Sequence, residues 1–445
     1  MWILWSHNKI IRGLEYKENK YMILIKSGRL IDPKTDRDEV VDIIIKEDKI
    51  YKIGHFEVSS EYERIIDAKN KIIAPGLIDV HVHFRDPGFT YKEDIDTGAK
   101  SAAAGGFTTV VCMANTSPIL DNVETLEYFL DKAKDTNINV KTVAAITKEF
   151  KGKELVDMNK LLSKGVVGFS DDGLPIRDSK VIMEAMNKAK ELDVPLSFHE
   201  EDPNLIGVAG VNDGNVSKQL GFIGASNSAE DVLVARDCML ALKTGAKVDI
   251  QHISSGNSVD MIRFIKSLGA NVYAEATPHH FSLTEEAVLE HGTLAKMNPP
   301  LRTEEDKHKI IEGLKDGTIE IIATDHAPHS IDEKNREFAK SPSGIIGLET
   351  SLALGITNLV KKKHLSLMKL IEKMTINPAR LYNFDAGYIA EGCKADIVIF
   401  DEDEEWIVPN KFESKAVNTP FIGDKLLGKV KYTICNGKVV FESAN

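Results

Sequence analysis

Cysteine is scarce in this 445-residue sequence, and its distribution excludes a disulfide framework. The four cysteines are scattered along the chain and form no CxxC pair; they are Cys112, Cys238, Cys393 and Cys435. This usage is typical of reduced thiols in a cytosol, because disulfide-dependent proteins carry cysteines in larger, paired numbers. We therefore expect a cytoplasmic protein.

The sequence also lacks an excess of positive charge and any long apolar run. Its 56 Lys and Arg residues are outnumbered by 68 Asp and Glu residues, which gives a net charge of -12. Phosphate backbones and acidic membrane surfaces need clustered Lys and Arg, so we expect no nucleic-acid or membrane partner. No apolar run is long enough to cross a bilayer. An anionic small molecule must then be held by local positive groups.

The first 21 residues show no clear hydrophobic period. Their apolar core is too short for a signal peptide, and no small-residue cleavage site follows it. The first good strand begins at Met22. We expect residues 1–21 to be a disordered extension or the product of a mis-assigned start.

Short β-branched runs alternate with amphipathic stretches from about residue 76 onward. The helical spacing is clear in residues 180–193 and 229–245. Eight strands with intervening helices predict an α/β fold, specifically a closed (β/α)8 TIM-type barrel over residues 76–385. An open doubly wound sheet is the alternative, but no nucleotide-binding fingerprint supports it. The predicted strands are residues 76–83, 108–115, 139–147, 165–172, 194–201, 247–254, 271–280 and 319–328.

The two ends of the chain have a different pattern. Residues 22–75 and 386–445 are rich in strands and turn signals and lack helices of the barrel type. We expect them to form one small β-sandwich domain beside the barrel.

Polar side chains occur where the predicted barrel strands end. In GLIDVHVHFRDPG, His81 and His83 lie two residues apart, so both can face the barrel axis. Further acidic residues and histidines end other strands: Asp171, Asp172, His199, His252 and Asp325. Catalytic groups of such barrels gather at the carboxyl ends of the strands, and imidazole with carboxylate suits a divalent cation such as zinc. Each feature alone has an ordinary structural explanation, and the pattern does not choose between Asp171 and Asp172.

Three more histidines lie near predicted strand ends. For His279, His280 and His326 we expect packing or hydrogen bonding near the site rather than a role as ligands.

Several motifs together resemble the amidohydrolase superfamily and, within it, the type I dihydroorotases. They are DVHVHFRDPG (79–88), GGFTTVVCMANT (105–116), FSDDG (169–173), HEE (199–201), QHIS (251–254), KMNPPLR (296–302) and ATDHAPH (323–329). The resemblance runs from about residue 22 to the end of the chain.

The resemblance implies a set of functional residues. One or two zinc ions would be held by His81, His83, Asp172, His199, His252 and Asp325, and Asp325 would also be the catalytic acid and base. Substrate would be bound by Arg85, Asn115, Asn298 and His329, with a backbone contact near Gly344. Without the resemblance, Arg85 could equally form a surface salt bridge to Asp86 or Glu93, and Asn115 could be a turn residue.

The implied reaction is the reversible cyclisation of N-carbamoyl-L-aspartate to L-dihydroorotate. Two alternatives stay open at this point: an allantoinase or hydantoinase, and a non-catalytic scaffold for aspartate carbamoyltransferase. Hydantoinases and allantoinases of the same superfamily use a carbamylated lysine at the end of strand 4, where this sequence has Ser170, Asp171 and Asp172. The family also allows a homodimer and an association with aspartate carbamoyltransferase.

Two positions depart from the usual family pattern. Ala114 replaces proline in the motif before Thr116, and Ser343 replaces an aromatic residue before Gly344. Both departures concern the packing of substrate rather than the chemistry.

Overall fold

The computed structural model describes residues 22–444. The prediction for residues 1–21 therefore lies outside the described residues. The strands are β1 (Met22–Asp32), β2 (Arg37–Lys46), β3 (Lys49–Gly54), β4 (Arg64–Asp67), β5 (Ile72–Pro75), β6 (Leu77–Val82), β7 (Phe107–Cys112), β8 (Asn139–Thr142), β9 (Leu196–Phe198), β10 (Val248–Ile250), β11 (Val272–Ala276), β12 (Ile321–Ile322), β13 (Ile397–Ile407), β14 (Lys425–Cys435) and β15 (Lys438–Glu442).

The helices lie mainly between the strands of the central segment. They are α1 (Ile95–Ala104), α2 (Val123–Ala133), α3 (Met158–Lys164), α4 (Ser179–Leu192), α5 (Asn215–Gln219), α6 (Asn227–Thr244), α7 (Gly256–Ser267), α8 (Pro278–Ser282), α9 (Ala287–His291), α10 (Glu304–Asp316), α11 (Ile331–Lys334), α12 (Ser351–Gly355), α13 (Leu367–Met374) and α14 (Ile376–Leu381). The predicted helices at 180–193 and 229–245 correspond to α4 and α6. Asp178 caps the start of α4, and a left-handed Gly245 ends α6.

Parallel strands form a closed barrel in the middle of the chain. One sheet has the order β6-β7-β8 and a second has the order β12-β11-β10-β9. Single bridged residues join the two sheets: Phe169 pairs with Ala144 and Leu196, and His326 pairs with Val82. The predicted (β/α)8 barrel is thereby confirmed.

The fourth strand is the least regular part of the barrel. The sequence predicts a strand over residues 165–172, but only Phe169 makes ladder pairs there. Gly165 has a left-handed backbone that ends α3, and the Asp171 side chain binds the amides of Ile146 and Thr147. The prediction of a full strand was wrong because both ends of the segment turn away from the extended conformation.

The β domain is built from both ends of the chain, as predicted. Its sheet has the order β15-β14-β13-β5-β1-β2-β3, with β4 also paired to β1. Its strands enclose a separate aliphatic core that includes Ile25, Ile43 and Ile399. Strand β5 ends at Pro75 and β6 begins at Leu77, so the chain passes directly into the barrel. The exact domain boundaries at 75/76 and 385/386 stay predictions.

No helix among residues 22–444 is both long enough and apolar enough to cross a membrane.

Candidate active site

The six predicted metal ligands meet at the carboxyl ends of the barrel strands. His81 is the next-to-last residue of β6 and His83 directly follows that strand, while His199 comes directly after β9. Asp172, His252 and Asp325 come from the corresponding ends of the fourth, sixth and eighth barrel positions. All six side chains are buried, with at most 8% of any residue exposed.

The first group of atoms surrounds the β6 histidines. His81 Nε2 lies 3.5 Å from Asp172 Oδ1 and 3.5 Å from Asp325 Oδ1. His83 Nε2 lies 2.9 Å from Asp325 Oδ1 and 3.6 Å from Asp172 Oδ2. Two imidazole nitrogens thus face two carboxylates across a small gap.

The second group contains the histidines that follow β9 and β10. His199 Nδ1 lies 2.9 Å from His252 Nε2, and each of these atoms is 3.9 Å from Asp172 Oδ1. Asp172 therefore takes part in both groups. A carboxylate with this placement can bridge two cations.

The donor set fits a divalent metal ion. Three triads each bring one ligand atom per residue within 4.8 Å of one another: His81, His252 and Asp325; His81, His83 and Asp172; and Asp172, His199 and His252. The Nε2 atom of His81 is buried and has no hydrogen-bond partner within residues 22–444, although it faces two carboxylates. Nitrogen and oxygen ligands of this kind suit zinc and other borderline divalent ions.

The electrostatics of the cluster favour a positive charge at its centre. Burial alone lowers the pKa of His81, but the carboxylates of Asp325 and Asp172 raise it well above the ordinary value. Burial opposes ionisation of Asp172, yet the imidazoles of His81, His83 and His199 hold its pKa well below the usual range. A metal ion in this position would supply the positive charge that the carboxylates attract.

Several neighbouring side chains orient the predicted ligands. His81 Nδ1 donates to Glu275 Oε2 over 3.1 Å, and His199 Nε2 lies 3.3 Å from Glu201 Oε2. A carboxylate in this position fixes the tautomer and the ring orientation of a metal-binding histidine. Sequence reasoning missed both glutamates. An acidic residue inside the buried strand VYAEA was the signal for Glu275.

Asn115 connects two of the predicted ligands. Its Oδ1 accepts from His83 Nδ1 over 2.9 Å, and its Nδ2 donates to Asp172 Oδ2 over 2.9 Å. Asn115 also lines the cavity next to the cluster, so its predicted contact with substrate stays a prediction.

Three residues at the site have a left-handed backbone that non-glycine residues rarely adopt. The φ angles are 59° at Arg85, 35° at His252 and 45° at Asp325. Such conformations persist where the surrounding structure enforces them, and they concentrate at functional sites. Here each one turns the chain just after a barrel strand and directs its side chain to the cavity.

The neighbouring Asp171 and Asp172 side chains face different groups. Asp171 accepts hydrogen bonds from the amides of Ile146 and Thr147, away from the histidines. Asp172 faces the imidazoles instead. Lys164 ends α3 and pairs with Glu127 over 2.7 Å, so it does not take part in the cluster.

A cavity of about 420 Å³ opens beside the metal-ligand cluster. Four of the five predicted substrate-binding residues line it: Arg85, Asn115, Asn298 and His329. The fifth, Gly344, is not among the lining residues. Its amide donates to Lys296 O over 2.9 Å, and its carbonyl accepts from Lys334 and Asn418. The predicted backbone contact near Gly344 stays a prediction.

Arg85 belongs to this cavity and does not form the surface salt bridge considered from sequence. Its Nε donates to Pro328 O over 3.3 Å, and one terminal nitrogen lies 3.5 Å from His329 Nε2. Asp86 instead pairs with Lys132 over 2.8 Å. The guanidinium is thus placed as a cation at the cavity wall.

Of the two departures from the family pattern, Ser343 lines the cavity, and Ala114 directly precedes Asn115, which lines it. The Ala114 carbonyl accepts from the amides of Thr116 and Leu120, which maintains a turn after β7. Ser343 Oγ donates to Asn298 Oδ1 over 3.0 Å, and its carbonyl accepts from His329 Nε2 over 2.9 Å. Ser343 therefore supports two predicted substrate-binding side chains by hydrogen bonds.

His279, His280 and His326, for which we expected packing or hydrogen bonding, lie outside the metal-ligand cluster. His280 bonds Thr277 Oγ1 and Pro299 O, and His326 Nε2 lies 3.4 Å from Glu93 Oε2. His279 is buried, and its Nε2 has no hydrogen-bond partner among the described residues. None of the three belongs to the triads that could hold a metal.

The chain matches two family models. Residues 70–258 match the dihydro-orotase-like family, and residues 351–441 match the amidohydrolase family. Among solved structures, an L-hydantoinase (dihydropyrimidinase) from Arthrobacter aurescens is 26% identical with a TM-score of 0.84, over 95% of this chain and 96% of that one. A dihydropyrimidinase from Brevibacillus agri, at 22% identity and a TM-score of 0.82 over 95% of each chain, shows the common fold.

Two curated relatives are much more similar in sequence. A dihydroorotase from Clostridioides difficile is 71% identical over 422 residues, which are 95% of this chain and 100% of the relative. A dihydroorotase from Lactococcus lactis is 57% identical over 95% of this chain and 99% of its own length. Identity at this level over nearly complete chains shows that the protein belongs to the dihydroorotase family of amidohydrolases.

Proposed function

We propose that this protein catalyses the reversible cyclisation of N-carbamoyl-L-aspartate to L-dihydroorotate, a step of pyrimidine synthesis, as a metal-dependent cyclic amide hydrolase. The observation that carries the proposal is the meeting of the His/Asp cluster and the Arg85 guanidinium at one cavity. The cluster suits attack on an amide carbonyl, and the guanidinium suits the carboxylate of the substrate.

Two zinc ions are the cofactors that we propose. His81, His83 and Asp325 would hold one, His199 and His252 the other, and Asp172 would be shared by both. When bound, such ions make water reactive at neutral pH and polarise the carbonyl oxygen.

Asp325 is the proposed acid and base. In the hydrolytic direction its carboxylate takes a proton from the attacking water and gives it to the departing ring nitrogen. In the cyclisation direction it takes the proton from the attacking ureido nitrogen and returns it to the oxygen that leaves as water. Its Oδ1 lies 2.9 Å from His83 Nε2, so the carboxylate is held at the cluster rather than in solvent.

Arg85, Asn115, Asn298 and His329 are the proposed substrate-binding residues. Arg85 offers a charge-assisted contact to the carboxylate that does not react. Lys296 also lines the cavity, so a second basic group lies beside Arg85 although the chain as a whole is acidic. This local field favours an anionic substrate.

The decisive test compares three substrates. Purified protein loaded with zinc should cyclise carbamoyl aspartate and should hydrolyse allantoin and a simple hydantoin at least about 100-fold more slowly. Turnover of only the latter two would assign an allantoinase or hydantoinase. Absence of all three activities in protein that has bound zinc would support a scaffold role.

The scattered cysteines support a proposal about the location of the protein, and the family resemblance supports one about its assembly. We propose a cytoplasmic homodimer that can associate with aspartate carbamoyltransferase. Light scattering of the purified protein tests the dimer, and co-purification with the carbamoyltransferase of the same organism tests the association.

A further inference from the structure

Lys92 is a buried lysine next to the substrate cavity, and the mechanism above gives it no role. It lies between β6 and α1, and only 8% of the residue is exposed. Its Nζ is 3.2 Å from His329 Nδ1 and 3.2 Å from Glu333 Oε1. Burying an ammonium group is costly unless its partners are well chosen, so these two contacts call for an explanation.

Glu333 keeps the Lys92 side chain charged. Burial opposes ionisation of Glu333, but hydrogen bonds from the Ser330 amide and the Tyr91 hydroxyl, together with Lys92, lower its pKa to about 2. Burial and the nearby Arg85 lower the pKa of Lys92, and the ionised Glu333 acts against that change. Lys92 is therefore best described as an ammonium group paired with a carboxylate.

An ammonium group restricts the state of the histidine that it contacts. It has three N–H donors and no acceptor, and its Nζ is closer to His329 Nδ1, at 3.2 Å, than the Glu333 Oε2 atom is, at 3.5 Å. We therefore assign Nδ1 as an acceptor of a hydrogen bond from Lys92. Burial and the cations of Arg85 and Lys92 lower the pKa of His329 to about 2, so the ring is neutral and carries one proton. That proton must then be on Nε2.

The contacts of His329 Nε2 support the same assignment. His329 Nε2 lies 2.9 Å from the Ser343 carbonyl oxygen, which can only accept a hydrogen bond. The terminal nitrogen of Arg85 is 3.5 Å from the same Nε2 atom. An Nε2–H group and the guanidinium are thus two donors placed close to one point of the cavity wall.

We propose that Lys92 is a positioning residue that fixes His329 as its Nε2–H tautomer, so that the single Nε2 proton, which the Ser343 carbonyl accepts in this structure, can be shared with the substrate carboxylate beside Arg85. The proposal rests on the substrate-binding role of His329 given above. With the other tautomer, a nitrogen lone pair would face the carboxylate and repel it. Lys92 therefore acts on substrate affinity through His329, without touching the substrate itself.

Kinetics of Lys92 variants give the first test. Lys92→Met should raise KM for carbamoyl aspartate about tenfold or more, change kcat much less and leave zinc content unchanged. Lys92→Arg retains a donor without an acceptor and should keep KM within about threefold of the wild type. Lys134→Met is the matched control, because the Lys134 side chain is 64% exposed and pairs with Asp131 over 2.9 Å, outside the Lys92–Glu333–His329 contacts; its KM should not change.

A double-mutant cycle separates this role from a merely structural one. If Lys92 acts through His329, then Lys92→Met should change KM less than about twofold in a His329→Ala background. The same increase in KM with and without His329 would overturn the proposal. If Lys92→Met does not fold, Lys92→Arg replaces it in the same cycle, and any change in KM that it causes should again disappear in the His329→Ala background.

The tautomer itself can be observed without turnover. In protein labelled with ¹⁵N-histidine, the His329 signals, assigned by their loss in His329→Ala, should show a proton on Nε2 in the wild type and a mixture in Lys92→Met. A wild-type ring protonated on Nδ1 would overturn the role of Lys92 even in a fully active enzyme. Absence of cyclisation by the zinc-loaded wild type would instead overturn the proposed function, whatever the tautomer.

Discussion

At the scale of single residues, Asp172 is the side chain that joins the two halves of the site. Its Oδ1 faces His81, His199 and His252, and its Oδ2 faces His83. The residue pattern predicted an aspartate here and left both neighbours open, whereas the family resemblance implied Asp172. Which aspartate faces the histidines depends on the hydrogen bonds of the Asp171 side chain to backbone amides, and these are tertiary contacts that the local sequence does not reveal.

Replacing Glu275 should weaken metal binding without removing a ligand. Glu275→Gln deprives His81 Nδ1–H of an ionised acceptor. Loss of such a partner typically lowers metal affinity by roughly 10- to 100-fold, and we expect a decrease of that size here. Competition with a chromogenic zinc chelator measures the change. Glu349→Gln is the control and should not change the zinc affinity. The Glu349 carboxylate accepts hydrogen bonds from the Ser101 hydroxyl and from the amides of Glu413 and Ser414, and it does not contact His81.

Replacing Asp325 should stop the chemistry while the fold persists. Asp325→Asn keeps the shape of the side chain but cannot take up a proton, so kcat should fall at least about 100-fold. Thermal unfolding and zinc content, measured on the same sample, show whether the fold and the metal remain. Wild-type turnover by a zinc-loaded Asp325→Asn variant would refute the acid/base role.

At the scale of elements, the direction of the barrel strands brings the ligands together. The alternation of strands and helices was enough to predict that residues at the strand ends would converge, and all six did. The predicted fourth strand failed because a side chain, Asp171, competes with the ladder for backbone amides. Lys92 and Glu333 also escaped prediction, since a charged run such as TYKED on a loop normally indicates a solvated surface.

The segment after β12 supports His329 through a glycine. Gly344 has a φ of 156°, and a Cβ atom there would lie 2.6 Å from Ala327 O and 2.6 Å from His329 Cδ2. Gly344→Ala should therefore displace the His329 ring and raise KM about tenfold or more, with zinc content unchanged.

Gly392→Ala is the matched control for this substitution. Gly392 also has a positive φ, 89°, but an added Cβ would contact nothing within 4 Å. This variant should lose some stability and keep its KM. Equal KM values for the two alanine variants would contradict the role given to Gly344.

At the scale of the whole molecule, polar contacts join the barrel to the segment that leads into the last strands. The Glu349 side chain, between β12 and α12, accepts from Ser101 Oγ over 2.8 Å and from the amides of Glu413 and Ser414 over 3.0 and 3.2 Å. Hydrophobic patterning predicted both folding units, but such contacts between distant parts of the chain cannot be found from local patterns. They depend on how the units pack.

Glu349 should make stability depend on pH. Burial raises its pKa from 4.5 to about 7, so the folded state binds its proton more tightly than the unfolded state does. Its favourable contribution is complete below pH 4.5 and is lost as the pH rises to about 7. Glu349→Gln should remove this part of the decline in the free energy of unfolding, measured by denaturant titration between pH 4.5 and 8.

An exposed carboxyl provides the comparison. Glu290 is 79% exposed at its side chain, and Glu290→Gln should leave the pH profile of stability close to that of the wild type. A Glu349→Gln profile that also matches the wild type would contradict the assignment.

The proposed function requires that six side chains from five barrel positions hold metal ions at one centre joined by Asp172. Anomalous X-ray scattering at the zinc edge, from crystals of the zinc-loaded protein, tests it most directly. The account predicts two peaks, one among His81, His83 and Asp325 and one beside His199 and His252, with Asp172 between them. Zinc bound only elsewhere, with this cluster empty, would contradict it.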